Sequence, residues 1–136
     1  MNKKILVIED ETSTLRFLEY TLKQEGYEVL LAKDGLEGIK EALEERPDLI
    51  ILDIMLPGLD GYEVCYQLRQ KPETFTLPIL MLSAKARQED KDIGIKMGAD
   101  DYLAKPADPS EILAKVETLL TGANASKKKA IWNFNA

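Results

Sequence analysis

The 136-residue chain contains no histidine. That removes the commonest general acid-base group and the commonest transition-metal ligand, so any chemistry falls to carboxylates, hydroxyls and amines. The one cysteine, Cys65, permits no internal disulfide; lying in a helical pattern, it reads as an inert, half-buried thiol rather than a nucleophile. No apolar run approaches the roughly 20 residues that cross a bilayer. The first apolar run, from Ile5, meets Glu9 and Asp10 too soon for a secretion signal, so a cytoplasmic location without membrane contact is expected. Positive charge is in deficit: 18 Lys and Arg against 24 Asp and Glu give −6, which argues against direct binding of nucleic acid by this domain. What is present, 45% hydrophobic and 31% charged residues, is ordinary for one soluble domain with a real core.

Short aliphatic runs alternate with amphipathic stretches along the whole chain. "KKILVIE", "YEVLLA", "DLIIL", "LPILML" and "ADDYLA" read as five strands. Between and after them lie five helical patterns: "TSTLRFLEYTLKQEG" with Leu15, Leu18 and Leu22 on one face, "DGLEGIKEALEER" with Leu36, Ile39 and Leu43 on one face, "DGYEVCYQLRQ", "RQEDKDIGIKMG" and "DPSEILAKVETLL". Asp108 is placed to cap the last helix, with Pro109 in the first turn and Glu111 completing a capping box. Alternation of this kind predicts an α/β fold: one doubly wound parallel sheet covered on both faces.

In open α/β sheets the functional crevice lies at the carboxyl ends of the strands. The residues there are Glu9 and Asp10 after the first strand, Asp53 after the third, Ser83 after the fourth and Lys105 after the fifth. Three gathered carboxylates repel one another, and a cation is the simple remedy. Oxygen ligands without His or Cys suit a hard ion, Mg²⁺ better than Ca²⁺. With Lys105 as a fixed positive charge and Ser83 as a hydrogen-bond donor, the set would hold a phosphoryl group while Asp53 attacks phosphorus. Each residue alone has a plainer reading. Asp53 can simply open a turn, Glu9 to Glu11 can be a solvated cap cluster with Asp10 or Thr12 as the cap, Ser83 can be a loop hydroxyl and Tyr102 a packed aromatic. Their joint occurrence favours the site.

The motifs "VIEDE", "LDIMLPGLDG", "LSA" and "GADDYLAKP", in this order and spacing over roughly residues 3 to 121, resemble those of the response-regulator receiver domain of two-component signalling. The resemblance implies a flavodoxin-like sheet of order 2-1-3-4-5. It implies that Asp53 accepts phosphate from a sensor histidine kinase or phosphotransfer protein, with Glu9, Asp10, Asp53 and the Met55 backbone carbonyl around Mg²⁺. It also implies a cis bond before Pro106 that aims Lys105 at the phosphoryl group. In the implied switch, Ser83 moves toward the phosphoryl group and Tyr102 rotates into the vacated space, remodelling the helix 4, strand 5 and helix 5 surface. "GADDYLAKP" with Lys91, Glu111 and Lys115 is most similar to receivers of winged-helix transcription factors, which implies a homodimer through that surface. Such a domain is a signalling phosphoacceptor that assists its own phosphorylation and dephosphorylation rather than a metabolic enzyme.

Two rivals fail on local chemistry. A dehalogenase-type phosphatase wants an acid where Met55 stands, and a P-loop or flavodoxin-type nucleotide site wants glycines or hydroxyls where "EDETST" begins with acids. A phosphorylation-independent pseudo-receiver would be marked by loss of an acid or the lysine, and none is lost. The expected domain is residues 1–121. Residues 122–136, "GANASKKKAIWNFNA", read as a C-terminal tail or linker stub, with Gly122 ending the last helix and Ile131, Trp132 and Phe134 as its apolar residues.

Overall fold

The computed structural model describes residues 2–122. Five strands, β1 (Lys4–Ile8), β2 (Glu28–Ala32), β3 (Leu49–Leu52), β4 (Ile79–Ser83) and β5 (Asp101–Ala104), alternate with five helices, α1 (Thr12–Gln24), α2 (Gly35–Glu45), α3 (Gly61–Arg69), α4 (Gln88–Met97) and α5 (Pro109–Leu120). All strand pairs are parallel, in the order β2-β1-β3-β4-β5. This is the expected flavodoxin-like α/β sheet.

The aliphatic runs are nearly continuous because the central strands are buried on both faces. Successive side chains point to opposite faces, so β1 sends Leu6 and Ile8 into one core and Ile5 and Val7 into another. The first core takes Ile39 and Ala42 of α2 and Val64, Cys65 and Leu68 of α3. The second takes Leu15, Leu18 and Leu22 of α1 and Ile112, Val116 and Leu119 of α5. Each fully buried aliphatic side chain contributes about 1.5–3 kcal/mol relative to exposure, which fixes which helix face meets the sheet.

Several local expectations are corrected. Leu36 does not share the buried face of α2: it is 71% exposed, while Gly35, Gly38, Ile39 and Ala42 pack inward. The reason is close approach, since a Cβ on Gly38 would lie 2.4 Å from Cδ1 of Ile8. The α1 cap is Glu11, not Asp10 or Thr12, and its side chain makes no cap hydrogen bond because it is engaged by the Thr14 hydroxyl. Cys65 is fully rather than half buried. At α5 the Asp108 carboxylate accepts from the Ser110 N–H at 3.2 Å, and Glu111 meets Asp108 through its own backbone N–H at 3.0 Å in place of the expected capping box. Gly122 follows the last turn with φ +78°. The rest of the tail, with Ile131, Trp132 and Phe134, lies outside the described residues. Among the described residues no helix is long and apolar enough to cross a membrane.

Candidate functional site

Adjacency of β1 and β3 brings the acids together. Ile8 pairs with Leu52, so the residues that follow, Glu9 and Asp53, leave the sheet side by side. Their backbones are still tied to it: the Asp53 N–H donates to Ile8 O at 3.1 Å and the Glu9 N–H to Ala32 O at 3.0 Å. Both carboxylates are buried, whereas Asp10 is exposed. Oxygens of Glu9, Asp10 and Asp53 lie within 4.8 Å of one another.

Lys105 arrives from the far side of the sheet, held by its backbone N–H on Ser83 O at 2.9 Å and followed by the expected cis bond to Pro106. Its Nζ lies 2.6 Å from Oε1 of Glu9 and 3.2 Å from Oδ2 of Asp53. Burial works to lower the Lys105 pKa, but the hydrogen bond to Glu9 and the charge of Asp53 outweigh it and hold the ammonium above its usual value. Glu9 is pushed up, chiefly by burial, against the hydrogen bonds from Lys105 and the Glu11 N–H. The Met55 side chain is exposed, and its N–H donates to Oδ1 of Asp53 at 3.2 Å.

Ser83 and Tyr102 form an adjoining pair around Lys85. The fully buried Ser83 Oγ accepts from the Lys85 N–H at 3.3 Å, and the Tyr102 hydroxyl donates to the Lys85 carbonyl. Burial pushes the Tyr102 phenol up to about 12. Tyr102 is thus turned inward, with 8% of its surface exposed. Gly94 of α4 leaves room for it: a Cβ there would lie 2.7 Å from the Met81 sulfur and 3.1 Å from the Tyr102 ring. Lys115, read as a residue of an intermolecular face, pairs with Asp101 of its own chain at 2.7 Å.

The contacts of two residues went unread in the sequence. Gly61, the last residue of the "LDIMLPGLDG" motif, sits directly on the loop after Asp53: a Cβ there would lie 2.2 Å from the Asp53 carbonyl oxygen and 2.6 Å from Cα of Ile54. The Asp-Gly pair "DG" after the loop was the available signal. Because these neighbours are backbone, Gly61→Ala is expected to cost about 1–3 kcal/mol of stability, seen as a lower urea midpoint. The second is Arg69, in a buried ion pair with Asp100 at the opposite edge of the sheet.

A family model described as response regulator receiver domain matches residues 5–117. The chain is a receiver domain of a two-component response regulator. This receiver is 54% identical over 120 residues to the alkaline phosphatase synthesis transcriptional regulatory protein PhoP of Bacillus subtilis, covering 88% of this chain but 49% of PhoP; the chain thus spans about half the length of that relative. The receiver fold is also that of chemotaxis protein CheY4 of Vibrio cholerae, at 33% identity, 87% and 98% coverage of the two chains and a TM-score of 0.83. A third relative is the receiver domain of a sensor histidine kinase of Pseudomonas aeruginosa, whose crystal structure holds a magnesium ion in the active-site cleft. It is 32% identical, with 89% and 99% coverage and a TM-score of 0.83.

Proposed function

We propose that Asp53 is the phosphoacceptor of this receiver, taking a phosphoryl group from the phosphohistidine of a sensor histidine kinase or a phosphotransfer protein. The observation that carries the reading is the placement of the Lys105 ammonium 3.2 Å from Asp53 Oδ2, with Glu9 and Asp10 beside them. In the transfer an Asp53 oxygen attacks phosphorus, the P–O bond forms as the P–N bond breaks, and the imidazole nitrogen leaves and is protonated from solvent. Lys105 supplies positive charge fixed close to the attacking carboxylate, where charge builds on the phosphoryl oxygens. The buried Ser83 hydroxyl is the nearby neutral donor, and with Tyr102 it forms the switch.

The chemistry of the donor set fits a hard divalent ion: three carboxylates with oxygens within 4.8 Å of one another, and neither His nor Cys among them. Glu9, Asp10, Asp53 and the Met55 backbone carbonyl would hold Mg²⁺. When bound it supplies positive charge that draws donor phosphate and acceptor carboxylate together.

The domain proper is residues 1–121, with 122–136 a tail or linker stub. Its output passes through the α4, β5 and α5 surface, as a homodimer, from a cytoplasmic location. Incubation with acetyl phosphate and Mg²⁺ is expected to add the mass of one phosphoryl group to the intact chain. Excess chelator is expected to abolish the gain. No gain in Mg²⁺ would remove the phosphoacceptor reading, and an undiminished gain in chelator would remove the metal from it.

A further inference from the structure

The segment joining β4 to α4 is gripped by two phenols that come from different elements. From β5, the Tyr102 hydroxyl donates to the Lys85 carbonyl. From α3, the Tyr62 hydroxyl donates to the carbonyl of Asp90, in the first turn of α4, at 3.1 Å. Asp90 is itself buried and closes that turn: its carboxylate accepts the Arg87 N–H at 3.2 Å, and its N–H donates to Arg87 O at 3.0 Å. Between the two anchor points, residues 85 and 90, lies the whole start of α4.

Tyr62 is also tied to the phosphoacceptor. It follows Gly61, whose N–H donates to Ile54 O at 2.8 Å and whose Cα abuts the Asp53 carbonyl. The Tyr62 ring is partly buried against the first core. One packed side chain thus links the Asp53 loop to the Asp90 carbonyl. That route is separate from the one through Ser83 and Tyr102.

We infer that the Tyr62 hydroxyl is a positioning group of the switch: a second latch that holds the start of α4 in the arrangement where Tyr102 is inward. The inference rests on Asp53 being the phosphoacceptor. Because the bond exists in the inward arrangement, its loss disfavours that arrangement. A typical hydrogen bond of this kind shifts such a balance about 2- to 10-fold.

The test is Tyr62→Phe in the full chain, which keeps the ring and its packing. Amide hydrogen exchange is followed with and without beryllofluoride and Mg²⁺, beside thermal unfolding. In wild type the phosphoryl mimic is expected to slow exchange across residues 85–91. In Tyr62→Phe those amides are expected to exchange about 2- to 10-fold faster than in wild type in both conditions, while β1 and α1 amides keep their wild-type rates. The maximal rate of acetyl phosphate uptake is expected to fall by a similar factor, with the half-saturating concentration unchanged.

Wild-type exchange across 85–91 in the variant, or equal acceleration throughout the chain, would overturn the latch. So would an unchanged maximal rate of uptake. Failure of beryllofluoride to alter wild-type exchange would instead strike the phosphoacceptor reading itself. Combining Tyr62→Phe with Tyr102→Phe tests whether the two latches are distinct: accelerations that multiply support a second latch, and a combined effect no larger than that of Tyr102→Phe alone overturns it.

Discussion

Asp53→Asn is expected to take up no phosphate from acetyl phosphate in Mg²⁺, and Lys105→Met to take it up on the order of 10²-fold more slowly than wild type. The two variants are expected to part company on metal affinity. The site sets three carboxylates against one ammonium. Asp53→Asn removes a negative charge from that set, whereas Lys105→Met removes the only protein cation within hydrogen-bonding reach of Glu9 and Asp53 among the described residues. A unit charge 4 Å away near a protein surface is worth about 4 kcal/mol before relaxation and salt reduce it. A change of about tenfold in Mg²⁺ affinity therefore remains a conservative expectation, weaker for Asp53→Asn and tighter for Lys105→Met. Titration calorimetry with Mg²⁺ reads it directly.

The same geometry predicts how stability responds. In Lys105→Met, Glu9 keeps its backbone hydrogen bond from Glu11 but loses its 2.6 Å partner while still buried. Burial already raises its pKa, so the variant is less stable without metal and regains more stability when Mg²⁺ is added than wild type does, following the binding linkage. Equal Mg²⁺ affinity in all three chains would mean that Lys105 and the metal do not compete for the same carboxylates. Uptake by Asp53→Asn at the wild-type rate would move the phosphoacceptor to another residue.

How much of this was legible beforehand follows from what each feature depends on. The acid cluster and Lys105 were readable because each is fixed by a strand end, and strand ends are marked by aliphatic runs stopping at a polar residue. The order of the strands was not derivable from those runs; it came with the family resemblance. Leu36 was misread because helical periodicity ranks large apolar residues above glycine. The approach of α2 to Ile8 instead depends on a side chain that is absent at Gly38. Tyr62 was not singled out within "DGYEVCYQLRQ", since its partner is a backbone carbonyl 28 residues away and no side-chain pattern records a carbonyl. Arg69 was passed over for a related reason. A basic residue in the last turn of a helix is normally a solvated charge that suits the helix dipole, and nothing in its neighbours announces burial.

Arg69→Met is expected to cost about 3–5 kcal/mol of unfolding free energy, the largest stability effect foreseen for a single substitution in this chain. Arg69 is 2% exposed and its guanidinium spans three segments: Nε donates to Gly98 O at 2.9 Å, one terminal nitrogen to Thr74 O at 3.2 Å, and the other to Asp100 Oδ2 at 3.1 Å. That same Asp100 oxygen accepts the Ile79 N–H at 2.8 Å where β4 begins. Burial pulls the Arg69 pKa down while Cys65 and Asp100 pull it up. Methionine fills much of the volume but takes the guanidinium away from the buried Asp100 carboxylate and from the Gly98 carbonyl, while Thr74 O keeps the Leu77 N–H at 3.1 Å, so the loss is electrostatic rather than a packing cavity. Asp100→Asn in the same background removes the buried negative charge that Arg69 faced and is expected to restore part of the loss, a non-additivity that urea unfolding of the four chains measures. The clamp holds the amino ends of β4 and β5, whereas Ser83 and Lys105 leave their carboxyl ends. At temperatures where Arg69→Met remains folded, its acetyl phosphate uptake is therefore expected to match wild type; a fall in uptake together with wild-type stability would reverse both assignments, making Arg69 a part of the site rather than of the scaffold.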